Sequence, residues 1–277
     1  MIRKVPEFFG KLLIRDYGQE LAEKIINGYS SERNVTLRIN TLKTNSDKIK
    51  EKLDKEKIEY EEVEWNENAL IIKNAKEEDI RKIDIYERGE IYLQSLSSML
   101  PAIILGPKAN ENILDMTAAP GGKTTQMAAL SNNEAMITAC EKNKIRADRL
   151  KFNIERQGAR VNIMRQDARM LDDFFSFDKI LLDAPCSGSG TENIFTDKFN
   201  EELITRSKDT QEKLLNKAVK VLRAGGELIY STCSILKEEN EDILNKVIKK
   251  YDLKIVEIEE MKRNTIFASY SEAEQFV

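Results

Sequence analysis

The chain of 277 residues contains no histidine. Without an imidazole there is no Ser-His-Asp triad, no Cys-His pair and no zinc site built on His, so proton transfer falls to Asp, Glu, Lys, Tyr or Cys. Cysteine is scarce too. Cys140, Cys186 and Cys233 are odd in number and widely spaced, with no C-x-x-C, which argues against a disulfide framework or an all-cysteine metal site. Free thiols in a reducing compartment, and no bound metal, are expected. No apolar run approaches the roughly 18 residues of a membrane span, and Met1 to Gly10 has no signal-peptide core, so a cytoplasmic protein with no membrane contact is expected. With 12 Gly and 5 Pro the chain is neither fibrous nor of low complexity. A surplus of positive charge is also missing. The formal net charge is −4, and residues 1–110 hold 19 Lys and Arg against 20 Asp and Glu, so a polyanionic partner would need a local patch.

What is present divides the chain in two. Phe8 to Tyr29 has apolar residues at helical spacing, Asn34 to Asn40 alternates as a strand, and Ser46 to Lys55 opens on a good cap and predicts a helix. Ile58 to Trp65 and Ala69 to Lys73 predict two strands joined by a turn at Asn66-Glu67-Asn68. This is a small α+β unit, taken as residues 1–90. From 91 to 277 strands and helices alternate as in a parallel sheet covered on both faces. The expected strands are Asn112–Asp115, Ala135–Cys140, Val161–Arg165, Lys179–Asp183, Glu227–Ser231 and Leu253–Ile258. The expected helices are Lys123–Leu130, Lys144–Gln157, Glu201–Val221 and Glu238–Lys250. The fold class is therefore α/β, a Rossmann-like domain with a small N-terminal domain.

Ligands of such a sheet bind outside the carboxyl ends of its strands. The first strand runs into Asp115-Met-Thr-Ala-Ala-Pro-Gly-Gly-Lys-Thr-Thr125, where Gly121 and Gly122 allow close backbone approach at a helix N-terminus. A Walker A loop would need glycine where Thr117 stands, and G-x-G-x-x-G is absent, which excludes a P-loop ATPase and a nicotinamide enzyme. Glu141 ends the second strand about 20 residues beyond the loop, the position of an acid that accepts hydrogen bonds from a ribose diol. The third strand ends in Gln166-Asp167 and the fourth in Asp183-Ala-Pro-Cys-Ser-Gly-Ser-Gly190. A glycine loop, a ribose acid and further polar strand ends describe a nucleoside cofactor without a pyrophosphate, and S-adenosylmethionine fits. Cys186 and Cys233 belong to polar loops at two strand ends, whereas Cys140 lies inside its strand and is expected to be a buried apolar thiol.

DMTAAPGGKTT, LLDAPCSGSGT and YSTCSILKEENE resemble the three signature motifs of the NSUN (Sun-type) family of RNA cytosine-C5 methyltransferases. LRINTLK and YLQSLSSMLPAIIL resemble flanking segments of that family, and the N-terminal part is most similar to the archaeal transfer-RNA members, whose small domain resembles an RNA-recognition module. The paired Pro-Cys and Thr-Cys motifs carry the likeness. Thr117 stands where the family usually has cysteine in the glycine loop. Family members usually continue past the position of Val277 into a final pair of strands, so a shortened chain, or a substitute at Thr265–Tyr270, is expected.

The resemblance implies a cofactor site of Thr117, Ala118, Ala119, Pro120, Gly121, Gly122, Lys123, Glu141, Arg146, Asp167 and Asp183, with Arg146 and Asp167 around the ribose and adenine. It implies that Cys233 attacks cytosine C6 and that Cys186 assists the later elimination. Chemistry alone does not choose between the two thiols, since DNA cytosine methyltransferases attack with the Pro-Cys thiol. Asp183 is expected to hydrogen-bond the base edge, and Lys123 to meet the methionine carboxylate or the base. Arg38, Asn40 and Lys43 are the expected contacts to the RNA backbone. The expected partner is an unpaired or flipped cytosine of transfer RNA, or alternatively of ribosomal RNA. A non-catalytic RNA-binding protein is the competing class, and a monomer is expected.

Overall fold

In the computed structural model residues 5–31 and 33–258 are described, and their contacts form two compact units. One comprises residues 34–183 with 220–229. The other comprises the described parts of 1–33, 184–219 and 230–277. The described residues among the first 33 thus share a unit with the segments that carry Cys186 and Cys233, and not with the small N-terminal sheet.

The larger unit begins with that sheet. β1 (Val35–Ile39), β2 (Tyr60–Val63), β3 (Asn66–Ile72) and β4 (Ile91–Leu93) are antiparallel in the order β2-β3-β1-β4. β2 and β3 are joined through Glu64 and Trp65, so Asn66 to Asn68 are strand residues and not the expected turn. Helix α2 (Ser46–Lys55) has the expected bounds, but its cap is Asn45, whose side chain accepts from Lys48 N. Ile49 and Leu53 of α2 are fully buried against Leu37, Ile39, Leu70 and Ile72, each such side chain contributing about 2 kcal/mol. Short helices α3 (Glu77–Ile80) and α4 (Asp84–Glu87) lead into β4, and α5 (Leu96–Leu105) follows with Pro101 inside it.

The second sheet has the order β7-β6-β5-β8-β9, from β5 (Asn112–Asp115), β6 (Met136–Cys140), β7 (Val161–Met164), β8 (Phe177–Asp183) and β9 (Leu222–Ser231). β5 runs parallel to β6 and β8, and β6 parallel to β7. Ile113 and Leu114 are fully buried, as a central parallel strand covered on both faces requires. The covering helices α6 (Gly122–Leu130) and α7 (Lys144–Gln157) are close to or at the expected bounds, and α7 is capped by Asn143 and closed by Gly158 in the left-handed region. The chain steps outward from β5 to β6 and β7 and then returns to β8 on the other side of β5. The order therefore reverses between β5 and β8.

In the smaller unit α1 (Glu7–Gly28) is broken at Gly18 (φ 77°), and its buried Phe9, Leu13 and Ala22 pack with Ile194, Phe199, Ile204 and Leu236. α8 (Glu201–Val221) has the expected bounds, whereas the last helix, α9 (Glu241–Lys250), is preceded by a separate tight turn at Lys237–Glu239. Leu253–Ile258 is not the expected strand. Its alternation has no partner among the described residues, and Val256 is 69% exposed. Thr265–Tyr270 lies outside the described residues.

Candidate active site

Asp115 ends β5 and Asp183 ends β8, at the two sides of the reversal point where an open parallel sheet binds ligands. Both line a cavity of about 250 Å³ with Thr117, Ala118, Ala119, Pro120, Gly122 and Lys123. Lys123 Nζ donates to Asp183 Oδ2 at 2.7 Å, and Thr117 Oγ1 donates to the Asp183 carbonyl at 2.7 Å. Asp115 is 1% exposed. Burial pushes its carboxyl up to about 6, and the charge of Asp183 adds to this, while Thr124 Oγ1, donating at 2.7 Å, opposes it.

Gly121 takes φ 106°, a conformation that side chains rarely adopt, and a Cβ there would lie 2.9 Å from Leu150 Cδ1. At Gly122, the first residue of α6, a Cβ would lie 3.2 Å from Tyr92 Cε1. A side chain would be strained at Gly121 and crowded at Gly122, so the loop presents bare backbone there, beside a helix N-terminus. Tyr92, Gln94, Ser95 and Ser98 complete the cavity wall. They come from the YLQSLSSML segment, whose likeness to a family segment was their only signal in the sequence.

Three further cofactor candidates, Glu141, Arg146 and Asp167, follow the ends of the next strands, outside the cavity lining. Glu141, after β6, is 6% exposed and accepts from Asn143 N at 2.8 Å. Arg146 Nε lies 3.4 Å from Glu141 Oε2, and Arg146 Nη2 donates to the Ala119 carbonyl at 2.8 Å, which ties the ribose candidate to the glycine loop. Asp167, after β7, receives two side-chain bonds from Arg169, at 3.0 and 2.6 Å, and this pairing holds its carboxyl down at about 2. In sheet order the strand ends thus present Asp183, Asp115, Glu141 and Asp167. A glycine cradle of bare backbone, followed by acids in a row, suits a nucleoside bearing an amino-acid group.

The cysteine-bearing loops lie in the smaller unit. Cys186 Sγ and Cys233 Sγ are 3.0 Å apart, with Cys233 exposed and Cys186 half-buried. The hydrogen bond to Cys233, together with burial, pushes the Cys186 thiol far up from its usual range. The two sulfurs are within hydrogen-bond reach, and either can be the donor. The loops are joined by bonds from Ala184 N to Ser231 O at 2.7 Å and from Gly190 N to Cys233 O at 2.9 Å. From α1, Tyr17 donates to the Ile235 carbonyl, and Tyr29, just beyond that helix, donates to the Ser189 carbonyl. Cys140 is fully buried in β6, and burial pushes its thiol up to about 12.

Two of the three expected RNA contacts are corrected by the structure. Arg38 is 3% exposed, with Nε on Gln94 Oε1 at 3.0 Å and Nη2 on Thr125 Oγ1 at 3.1 Å, and burial lowers its pKa to about 10. Asn40 is fully buried and donates to the Gly89 and Gln157 carbonyls, both at 2.8 Å. An exposed edge strand would have shown both to solvent, but β1 is central, between β3 and β4. Lys43 is exposed, and its ammonium donates to the Arg88 and Arg156 carbonyls.

A family model described as 16S rRNA methyltransferase RsmB/F matches residues 102–275, more than half of the chain. The chain belongs to the RsmB/F family. A ferredoxin-like domain model of RsmF/B-like methyltransferases matches residues 5–77, in keeping with the small sheet and its helices. The tRNA (cytosine(72)-C(5))-methyltransferase of Pyrococcus horikoshii is 40% identical over 177 residues, 63% of this chain and 46% of that protein. Ribosomal RNA small subunit methyltransferase F of Serratia proteamaculans is 42% identical over 171 residues, 59% of this chain and 36% of that protein. The chain thus spans less than half the length of either of these curated relatives. The crystal structure of NSun6 from Pyrococcus horikoshii with SFG, an S-adenosylmethionine analogue, has a TM-score of 0.85 at 25% identity, covering 94% of this chain and 91% of that chain. The Sun-type resemblance and the Rossmann-like fold with a small N-terminal domain both hold. The family uses S-adenosylmethionine.

Proposed function

We propose that this chain methylates carbon 5 of cytosine in RNA, with S-adenosylmethionine as methyl donor and transfer RNA as substrate. The observation that carries the reading is the pair of thiols 3.0 Å apart, one exposed and one held protonated. A single buried cysteine would need only apolar packing; two thiols in contact on polar loops suit a reaction that adds and later removes a sulfur nucleophile.

Cytosine C5 is a weak nucleophile. The Cys233 thiolate forms a bond to C6, and the C5–C6 π electrons then sit on C5. When bound at the glycine loop, the cofactor supplies an electrophilic methyl group. Afterwards the C5 proton leaves to a base, the C5–C6 double bond reforms and the sulfur–C6 bond breaks, returning the Cys233 thiolate. Cys186, 3.0 Å from that sulfur, assists this elimination. Asp183, positioned by Lys123, accepts from the N4 amine of the base, and a proton that it carries or shares meets N3 as negative charge develops there. Gly121, Gly122 and Lys123 hold the amino-acid end of the cofactor, and Glu141, Arg146 and Asp167 its nucleoside. Lys43 is retained as an RNA contact.

Ribosomal RNA is the second reading, favoured by the family description and by the Serratia relative. Transfer of labelled methyl from S-adenosylmethionine to purified transfer RNA and to ribosomal RNA, with the product nucleoside identified, separates the two. Label in 5-methylcytidine of transfer RNA is expected. A folded protein that binds the cofactor and labels neither RNA would contradict the proposal.

A further inference from the structure

Glu239 lies in a run of charged residues, Lys237-Glu-Glu-Asn-Glu241, yet it is fully buried. Its carboxylate collects four donors. Oε1 accepts from Ser187 N at 2.8 Å and from Gln211 Nε2 at 3.2 Å. Oε2 accepts from Ser187 Oγ at 2.5 Å and from Ser234 Oγ at 2.6 Å. Ser187 directly follows Cys186, and Ser234 directly follows Cys233. One side chain therefore grips both loops beside their thiols. Gln211 extends the grip, since the same amide nitrogen donates to the Pro185 carbonyl at 3.0 Å. Tyr230 OH donates to the Glu239 backbone carbonyl at 2.7 Å and fixes the position of the hub itself.

A buried carboxylate is costly unless its oxygens are filled, and this one is filled by groups whose common feature is adjacency to the two cysteines. A core site would be cheaper with an apolar side chain. We propose that Glu239 is the positioning residue of the cysteine pair: its carboxylate joins the two loops and sets the short separation between Cys186 and Cys233. This rests on the reading that the pair carries out methyl transfer, and it extends that reading to a residue that touches neither RNA nor cofactor.

The test reads thiol proximity directly. Phenylarsine oxide captures two adjacent thiols, forming two arsenic–sulfur bonds while its oxygen leaves as water with both thiol protons. The unmodified protein is expected to take up one arsenic per chain through Cys186 and Cys233. Glu239→Ala should slow this capture by about tenfold or more, the effect of losing a hydrogen bond to a charged group, while all three thiols still react with a monothiol reagent in denaturant. Glu239→Gln, which keeps an acceptor and lets the serine hydroxyls turn round, should restore capture to within about threefold. If Glu239→Ala does not fold, Ser187→Ala with Ser234→Ala removes both hydroxyl tethers and should slow capture in the same direction. Undiminished capture in the folded variants would overturn the proposal. Fast capture by an unmodified protein that methylates no RNA would instead overturn the functional reading and leave the positioning role standing.

Discussion

The cavity at the ends of β5 and β8 and the loops that carry the cysteines keep polar groups out of water in different ways. At the cavity, charge meets charge: Lys123 pairs with Asp183, and Asp115 is buried close enough to feel that second carboxylate. At the cysteine loops a single carboxylate, Glu239, accepts from amide and hydroxyl donors, with no cation bonded to it among the described residues. The first arrangement contains a carboxyl, Asp115, that burial pushes up to about 6. The second is a fixed joint. Under the proposed function, the region that accepts a charged cofactor is the one whose own charges can be rebalanced, and the region that holds the two sulfurs is tied by directional bonds.

The largest test of this contrast is Asp115→Asn. Because burial raises the folded pKa of Asp115 to about 6, above its unfolded value, the folded state favours the protonated form; the stability that this supplies is complete below the unfolded pKa and is lost as pH rises through about 6. An amide cannot ionise, so Asp115→Asn should gain up to about 3 kcal/mol relative to the unmodified protein at pH 7.5 and almost nothing at pH 4, in denaturant unfolding. A destabilised Asp115→Asn at pH 7.5 would mean that the ionised form is the one the fold needs.

Asp183→Asn comes next. Lys123 and Asp183 keep 17% and 34% side-chain exposure, so their pairing contributes at most about 1 kcal/mol to folding, while turnover should fall by about tenfold to a hundredfold. Equal losses of stability and turnover would assign Asp183 to the scaffold alone. The smallest effect belongs to the fixed joint. Ser234→Ala should cost about 1–2 kcal/mol, and the same amount at pH 6 and pH 9, since it removes one hydroxyl donor from Glu239. A strong pH dependence of that cost would place a titrating group in the joint and weaken the contrast.

Much of the sheet was legible because local signals agreed. α7 has its cap at Asn143, its stop at Gly158 and helical spacing between, and β5 is a short apolar run ending in aspartate, so both have the bounds the sequence predicts. α5 was not, because Pro101 lies inside a largely apolar stretch without clear helical spacing. Leu253–Ile258 alternates like a strand, yet a strand needs a partner, and local pattern does not show whether one exists. The cavity loop and the two cysteines were visible as motifs. Arg38, Asn40 and Glu239 share one reason for being illegible: a polar residue at the polar positions of a strand or in a charged run suggests solvent, and only the tertiary fold reveals that its partners are inside.

The central claim is that Cys233 forms a covalent bond to the base and that Cys186 serves its release. Incubating Cys186→Ala with transfer RNA and S-adenosylmethionine, then separating under denaturing conditions, tests it most directly. The account predicts a protein–RNA adduct that survives denaturation and disappears when Cys233→Ala is added to the same chain. An adduct that persists without Cys233, or one that forms only when Cys186 is intact, would contradict it.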